Sequence, residues 1–224
     1  QLKAWVVKEC TTGKLGLLRN LTVGEIVEQV MIAIHHLKKE GLQLRNIVFM
    51  GMGEPFLNYP EVNKALEIFC GPKFLNFSER RVTISTCGIV PGIKKLMVDH
   101  PQVSLAISLH APNDEARKSI MPVDNTYPLD VLMKTLDEYV EKTNKRIFYE
   151  YIMIQGVTDK LPYAYELADL MEGRLGHVNF IPYNAGEGIM GNDMQPTPSL
   201  MIKKFQRVLE ERGIPSTVRF TMGD

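Results

Sequence analysis

Between Thr22 and Lys39 the apolar residues Val23, Ile26, Val27, Val30, Ile34 and Leu37 recur at intervals of three and four, so they share one face of a predicted helix. Thr22 and Glu25 have the spacing of a capping box at its start, and Gly41 is a natural stop. The next run, Asn46 to Met50, is short and apolar on both faces, which predicts a strand buried on both sides as in a parallel sheet. This alternation then repeats. Strands are predicted at Arg81 to Ser85, Val103 to Ser108, Ile147 to Ile154, His177 to Ile181 and Thr217 to Phe220. Helices are predicted at Glu61 to Phe69, Gly92 to Val98, Leu129 to Lys142, Pro162 to Glu172 and Ser199 to Arg212.

Strands alternating with helices imply βαβ units, a parallel sheet and right-handed crossovers. Pro and Gly sit at element junctions and no linker breaks the composition, so residues 1–224 read as one domain. A complete or partial (β/α) barrel fits best, with an open doubly wound sheet second. In such barrels the active site collects at the carboxyl ends of the strands. There the sequence places Gly51-Met52-Gly53-Glu54-Pro55, Ser85-Thr86-Cys87-Gly88, Ser108-Leu109-His110-Ala111-Pro112, Gln155-Gly156 and Pro182-Tyr183-Asn184.

These rim residues offer chemistry, and each also has a plain structural reading. Gly51 and Gly53 permit close backbone approach, and Glu54 can accept hydrogen bonds from a ligand ammonium or stand as a solvated turn residue. The string is not a dinucleotide fingerprint, because the third glycine is absent. Ser85 and Ser108 can donate to a carboxylate or a ribose, or cap a turn. His110, two residues beyond Ser108, can serve as acid, base or donor. Asn184 suits a base edge, a ribose or an Asx-turn. Cys70 and Cys87 lack a partner Cys or His nearby and read as structural, and Arg80 and Arg81 read as a solvated strand entry.

Composition narrows the class. The 224 residues carry 26 basic and 26 acidic side chains, 45% apolar residues and 23% charged ones, as in an ordinary globular domain. No stretch reaches the roughly 20 apolar residues that a membrane helix needs. Zero net charge argues mildly against a dedicated nucleic-acid binder, unless charge is local or carried by other segments. Three cysteines, Cys10, Cys70 and Cys87, do not make a disulfide framework, which points to a reducing cytoplasm. The chain starts at Gln1 without a signal-peptide pattern and ends abruptly after Thr221 to Asp224, so a cut at both ends is expected.

Six strings then occur in order: Arg19-Asn20-Leu21-Thr22, Met50 to Pro55, Arg80-Arg81-Val82-Thr83, Ser85 to Gly88, Ser108 to Asn113 and Ile181-Pro182-Tyr183-Asn184. Together they resemble the radical S-adenosylmethionine adenine-C2 methyltransferases of ribosomal and transfer RNA, from about Cys10 to Asp224. The resemblance implies a partial (β/α) barrel of about six parallel strands, with S-adenosylmethionine and a [4Fe–4S] cluster as cofactors. Gly53 and Glu54 match the pair that holds the amino group of S-adenosylmethionine. Ser85, Ser108, Leu109, His110 and Asn184 match its other contacts. Cys10 matches the third cysteine of the family's Cys-x₃-Cys-x₂-Cys cluster loop, but Lys3 and Val7 occupy the other two positions, and neither can replace a thiolate. The family's two catalytic cysteines and its upstream RNA-contacting helical domain would lie outside these residues, the second cysteine following the Gly-Asp that Gly223 and Asp224 resemble.

The implied activity is methylation of C2 of an adenine in large-subunit ribosomal RNA, with transfer RNA as a second substrate. It would pass through a 5′-deoxyadenosyl radical and a methyl-cysteine, with an external electron donor and no membrane partner. The C8-methylated base of a related resistance enzyme is the other product such a chain could make. A misjoined start to the gene, or true degeneracy to a non-catalytic barrel binding S-adenosylmethionine or RNA, would each explain Lys3 and Val7. The intact remainder of the pocket favours the first, and residues 1–224 alone are expected to be inactive. An aldolase-type barrel ranks last, since no strand clearly supplies a Schiff-base Lys or a metal-binding set.

Overall fold

A computed structural model describes residues 19–121, 127–184 and 194–219. Thr22 caps helix α1 (Val23–Lys39) through the predicted reciprocal pair: its hydroxyl accepts from the Glu25 N–H, and the Glu25 carboxylate accepts from the Thr22 N–H. Gly41 follows at φ +70°, a left-handed conformation that glycine adopts without penalty, and the helix stops there. The predicted stripe of α1 is half-buried along its length and packs against helix α2 (Tyr59–Cys70). The N–H of Val23 donates to Glu61 Oε2 at 2.7 Å, which ties the start of α1 to α2.

The remaining elements, α4 apart, follow the predicted order: β1 (Ile47–Phe49), β2 (Val82–Thr86), α3 (Val90–Asp99), β3 (Ser104–Ser108), α4 (Asp114–Ile120), α5 (Leu129–Thr143), β4 (Ile147–Met153), α6 (Leu161–Met171), β5 (Gly176–Pro182), α7 (Ser199–Glu211) and β6 (Ser216–Val218). The six strands form one parallel sheet in the order β1-β2-β3-β4-β5-β6. A doubly wound sheet needs a reversal in that order. Here right-handed crossovers advance one strand at a time, which puts every helix on the same face. The sheet also curves strongly. Arg219, just after β6, brings Nη1 to 3.5 Å from Sδ of Met50, just after β1. Side chains just beyond the first and last strands therefore touch while β1 and β6 stay unpaired, and the fold is a partial (β/α) barrel.

The outer face of the sheet makes the core. Ile84, Leu105, Ile107, Tyr149, Tyr151 and Phe180 point toward the helices and are all but fully buried. Phe180, Tyr151 and Phe205 of α7 form a tilted and edge-on cluster with centroids 5.8–6.0 Å apart. The inner face is different. Register places Ser85, Ala106, Phe148 and His177 in one row, and Ser108, Glu150, Asn179 and Thr217 in the row nearer the carboxyl ends.

Three features depart from the sequence reading. Strand β1 is not buried on both sides: Ile47 is, but Val48 is 57% exposed, because β1 is an edge strand and Val48 faces the open side of the barrel. Helix α4 was not predicted, since it is only seven residues long and one of its three buried residues is Arg117. A 3-10 turn over Pro55–Asn58 likewise falls below any periodicity signal. Phe220, in the last predicted strand, lies outside the described residues.

Candidate functional site

The loop leaving β1 turns on Gly51 (φ +133°) and Gly53 (φ +84°), conformations that side-chain-bearing residues avoid. Glu54 follows, and its carboxylate is already engaged. Oε1 accepts the N–H of Phe56 at 3.0 Å, capping the 3-10 turn, and Oε2 accepts the N–H of Cys87 at 2.8 Å. Each carboxylate oxygen keeps a further lone pair, so a ligand ammonium can share Glu54 with these two amides. The Cys87 contact joins the exit of β1 to the exit of β2.

Arg117 continues this lacing. Its side chain is 0% exposed; Nε donates to the carbonyl of Leu109 at 3.0 Å and Nη2 to that of Cys87 at 3.3 Å. The exits of β2 and β3 are thus held by one guanidinium. Asn113 caps α4, which presents Arg117, by accepting the Ala116 N–H at 2.9 Å, and its Nδ2 reaches Glu166 at 2.5 Å. His110 carries the tie on to β4. Its backbone is left-handed at φ +59°, its ring is 7% exposed, and Nδ1 accepts the N–H of Ile152 at 3.2 Å. Burial first, and the charge of Arg117 second, push the imidazole pKa down to about 3. His110 is therefore neutral near pH 7, and with Nδ1 accepting, its proton sits on Nε2. It can donate to a ligand but is no general acid.

The other predicted residues fall at the same mouth with different weights. Ser85 and Ser108 are half-buried on the inner face, one row apart. Leu109 is fully buried; its N–H is taken by the Glu150 carbonyl at 3.0 Å and its own carbonyl by Arg117. Asn184 is exposed just beyond β5, where the Tyr183 N–H donates to Met153. Cys10 lies outside the described residues, as do Lys3, Val7, Gly223 and Asp224. Burial, then the Glu54 charge, drives the Cys87 thiol pKa far up, and burial raises that of Cys70 to about 11. Both stay protonated, as a structural role requires.

Sequence reasoning missed Arg117 and the inner row of Glu150, Asn179 and Thr217. A signal existed for one of them: Glu150 is the lone charge in the apolar run Ile147-Phe148-Tyr149-Glu150-Tyr151-Ile152-Met153.

The family model of the radical SAM superfamily matches residues 10–168. The chain belongs to the radical SAM superfamily. Curated relatives of this radical SAM chain include a probable dual-specificity RNA methyltransferase RlmN of Thermoanaerobacter sp. (strain X514), 44% identical over 214 residues, which cover 96% of this chain and 60% of the relative. A probable RlmN 2 of Protochlamydia amoebophila is 40% identical over 215 residues, covering 96% of the chain and 59% of the relative. The chain thus spans about 60% of the length of these relatives. Among solved structures, a radical SAM methyltransferase from Sphaerobacter thermophilus superposes with a TM-score of 0.93 at 43% identity, over 98% of this chain and 64% of that one. Streptococcus suis SuiB bound to S-adenosylmethionine shares the fold at a TM-score of 0.64 and 15% identity, over 91% of this chain and 45% of that one.

Superfamily membership implies S-adenosylmethionine and a [4Fe–4S] cluster, and the two fit this chain unequally. The mouth suits the nucleotide, with glycine turns, inward hydroxyls, a neutral His donor and one buried carboxylate, Glu150. Among the described residues the cluster finds no such match, and Cys10 lies outside them. Among the described residues no group of three or more His, Cys, Asp or Glu could hold a metal ion. A helix between parallel strands runs antiparallel to them, so Cys70, ending α2, sits at the strands' amino ends, while Cys87 follows the carboxyl end of β2. Protonated thiols at opposite ends of the barrel cannot share a cluster. No helix among the described residues is long and apolar enough to cross a membrane.

Proposed function

We propose that this chain is the S-adenosylmethionine-binding barrel of an RNA methyltransferase that methylates C2 of an adenine, in large-subunit ribosomal RNA and, as a second substrate, in transfer RNA. The observation that carries the cofactor site is the lacing of the rim: Glu54, Cys87, Arg117 and His110 bind the exits of β1 to β4 to one another. Gly53, Ser85 and Ser108 lie at or beside these strand exits, which supports a shared role. The RNA substrate rests on 40–44% identity to relatives named as RNA methyltransferases.

The residues divide the ligand by chemistry. Glu54 accepts from the ammonium, and the Gly51–Gly53 turn lets the backbone approach the amino-acid end. Ser85 and Ser108 donate or accept at the carboxylate and sugar, and His110 donates from Nε2. Asn184 contacts the base or the ribose. C2 of adenine is not nucleophilic, so ordinary polar methyl transfer fails there and a radical route is required. A [4Fe–4S] cluster, when bound, supplies the electron for that route; the protein positions the nucleotide and excludes side reactions. With Cys10 the one cysteine matching the cluster loop, we assign residues 1–224 to binding without turnover. RNA, an electron donor and a cytoplasmic site of action complete the reading for the longer protein.

Isothermal titration of the folded chain with S-adenosylmethionine tests the site: saturable heat supports it, and no heat from a folded sample overturns it. Lys3 and Val7 favour a second reading, a barrel that binds the nucleotide and never carries a cluster. Anaerobic reconstitution with iron and sulfide separates the two. A longer form with the full cysteine loop should turn brown, whereas a degenerate binder stays colourless.

A further inference from the structure

The amino ends of the strands form the second mouth of the barrel, and cations collect there. Arg81 directly precedes β2, Arg146 directly precedes β4, and Arg45 stands two residues before β1. All three are exposed, and none has a hydrogen-bond or ion-pair partner among the described residues. Arg80 adds only a bond from Nε to the neutral Gln102 Oε1 at 3.2 Å. Lys145 is half-buried beside it, and its pKa is pushed down by burial first and by the Arg80 charge second, with Glu79 pulling the other way. The His177 pKa, on the inner face of β5, is lowered by burial and then by the Arg146 charge, which sets Arg146 close to the barrel's interior. Two carboxylates at this end are already committed. Glu79 accepts the Gln102 N–H at 3.2 Å and faces His100 Nδ1 at 3.0 Å, and Asp137 pairs with Arg174 at 2.9 Å. Lys38, in the last turn of α1, complements the helix dipole and needs no other partner. One unpaired arginine is an ordinary solvated residue; three around one opening, in a chain of zero net charge, make a patch.

We infer that this amino-end mouth is a second RNA contact, where Arg45, Arg81 and Arg146 hold phosphates of the backbone. The inference rests on the RNA methyltransferase reading and extends it to a surface remote from the candidate cofactor site. A guanidinium is always charged, and its planar fork matches a phosphate. Neighbouring cations also raise the local potential together, which favours an anion with several charges in a row. The fold offers the backbone a route. β1 and β6 do not pair, so an open side runs from one mouth to the other, with Arg45 beside its β1 edge. The longest strands, β4 and β5, have seven residues each and make that path roughly 23 Å. Phosphates repeat about every 3.4 Å along one strand of a duplex, so about seven cover it. An adenine held at the carboxyl ends therefore has flanking backbone long enough to meet the arginines. RNA is favoured over an acidic electron-donor protein, because an electron delivered here would have to cross that same length to reach the candidate site.

Fluorescence anisotropy of a labelled RNA hairpin, titrated with the folded chain at several salt concentrations, tests this contact. Arg81→Gln combined with Arg146→Gln should lower the slope of log affinity against log salt by about 0.7–0.9 for each phosphate contact removed. Arg81→Lys combined with Arg146→Lys keeps both charges and should keep the slope. Lys203→Gln combined with Lys204→Gln, an equal charge loss on exposed positions of α7, should leave it unchanged. A folded Arg-to-Gln double variant with the wild-type slope overturns the inference, and so does a folded wild-type chain that binds no RNA. An equal drop in the α7 variant overturns it too, since the binding would then follow total charge. Poly-glutamate competing as strongly as unlabelled RNA would mark a dock for an acidic protein and overturn RNA as the occupant. The reading beneath fails by a different measurement: a longer form with the full cysteine loop that binds RNA through these arginines yet leaves C2 of its adenine unmethylated.

Discussion

The two faces of this sheet are built on opposite principles. Outside, side chains such as Ile84, Leu105, Tyr151 and Phe180 bury apolar area against helices, and any one of them is held by many neighbours. Inside, Glu150, Asn179 and Thr217 meet in specific pairs, each residue spending a particular donor or acceptor. Parallel sheets buried on both faces read as continuous apolar runs, and this one departs from that rule only on its inner face. The outer face should therefore govern stability and the inner face ligand affinity, with the rim lacing coupled to both.

Phe180→Ala should have the largest effect. It empties part of the cluster with Tyr151 and Phe205 and should cost about 3–5 kcal/mol of unfolding free energy in a urea titration. The fraction that remains folded should bind S-adenosylmethionine normally. A lost affinity in that fraction would merge the two faces into one.

Arg117→Met comes next, because it sits between them. Methionine fills much of the space but takes the guanidinium donor away from the carbonyls of Cys87 and Leu109, of which Leu109 keeps the Ala111 N–H. A cost of about 2–3 kcal/mol in stability is expected from losing charged hydrogen bonds. S-adenosylmethionine affinity should fall as well, since the exits of β2 and β3 are no longer tied. Arg117→Lys, which keeps the charge but cannot reach both carbonyls in a fork, should recover stability better than affinity.

His110 adds a pH dependence with a definite sign. An unfolded histidine takes a proton near pH 6.5, whereas the folded one, desolvated at the rim, takes it only near pH 3. Between those values the unfolded chain holds more protons, so stability falls as the pH drops from 6.5 toward 3. The slope from this one group is at most about 1.4 kcal/mol per pH unit. His110→Asn tolerates the left-handed backbone and does not titrate, so its unfolding curves should depend less on pH across that window. Parallel pH profiles for wild type and variant would remove the assigned burial of a neutral ring.

How far all this was legible in the sequence divides along the same line. Periodicity finds α1, α2, α5 and α7 and the strands of the outer face, because one period repeated over a helix or strand is a local signal. It cannot find the inner row, since Glu150, Asn179 and Thr217 become neighbours only through the register of three strands. Arg117 escapes for a related reason: a charged residue in a polar stretch reads as solvated until the fold buries it under the carbonyls it serves. The rim residues were found because strand ends are local and the barrel rule says what they face. Glu54 shows the limit of that approach. Its position was legible, but its bond to the Cys87 amide, which makes it a structural tie as well as a candidate ligand contact, was not.

The smallest expected effect sharpens the comparison most, because it applies one substitution to both faces. Valine and threonine are nearly isosteric and both favour strands, so Val→Thr isolates the cost of placing a hydroxyl. Val48 is half-exposed on the inner face of edge strand β1, where water can solvate the new group, and Val48→Thr should change stability by less than about 0.5 kcal/mol. Val178, on the outer face of β5, is 0% exposed and lies within the apolar core. There the hydroxyl must be buried, and Val178→Thr should cost about 1–3 kcal/mol. Chemical denaturation of the two variants side by side measures the difference directly. Equal costs would mean that the inner face near β1 is as closed as the core, and the open side of the barrel would have to be redrawn.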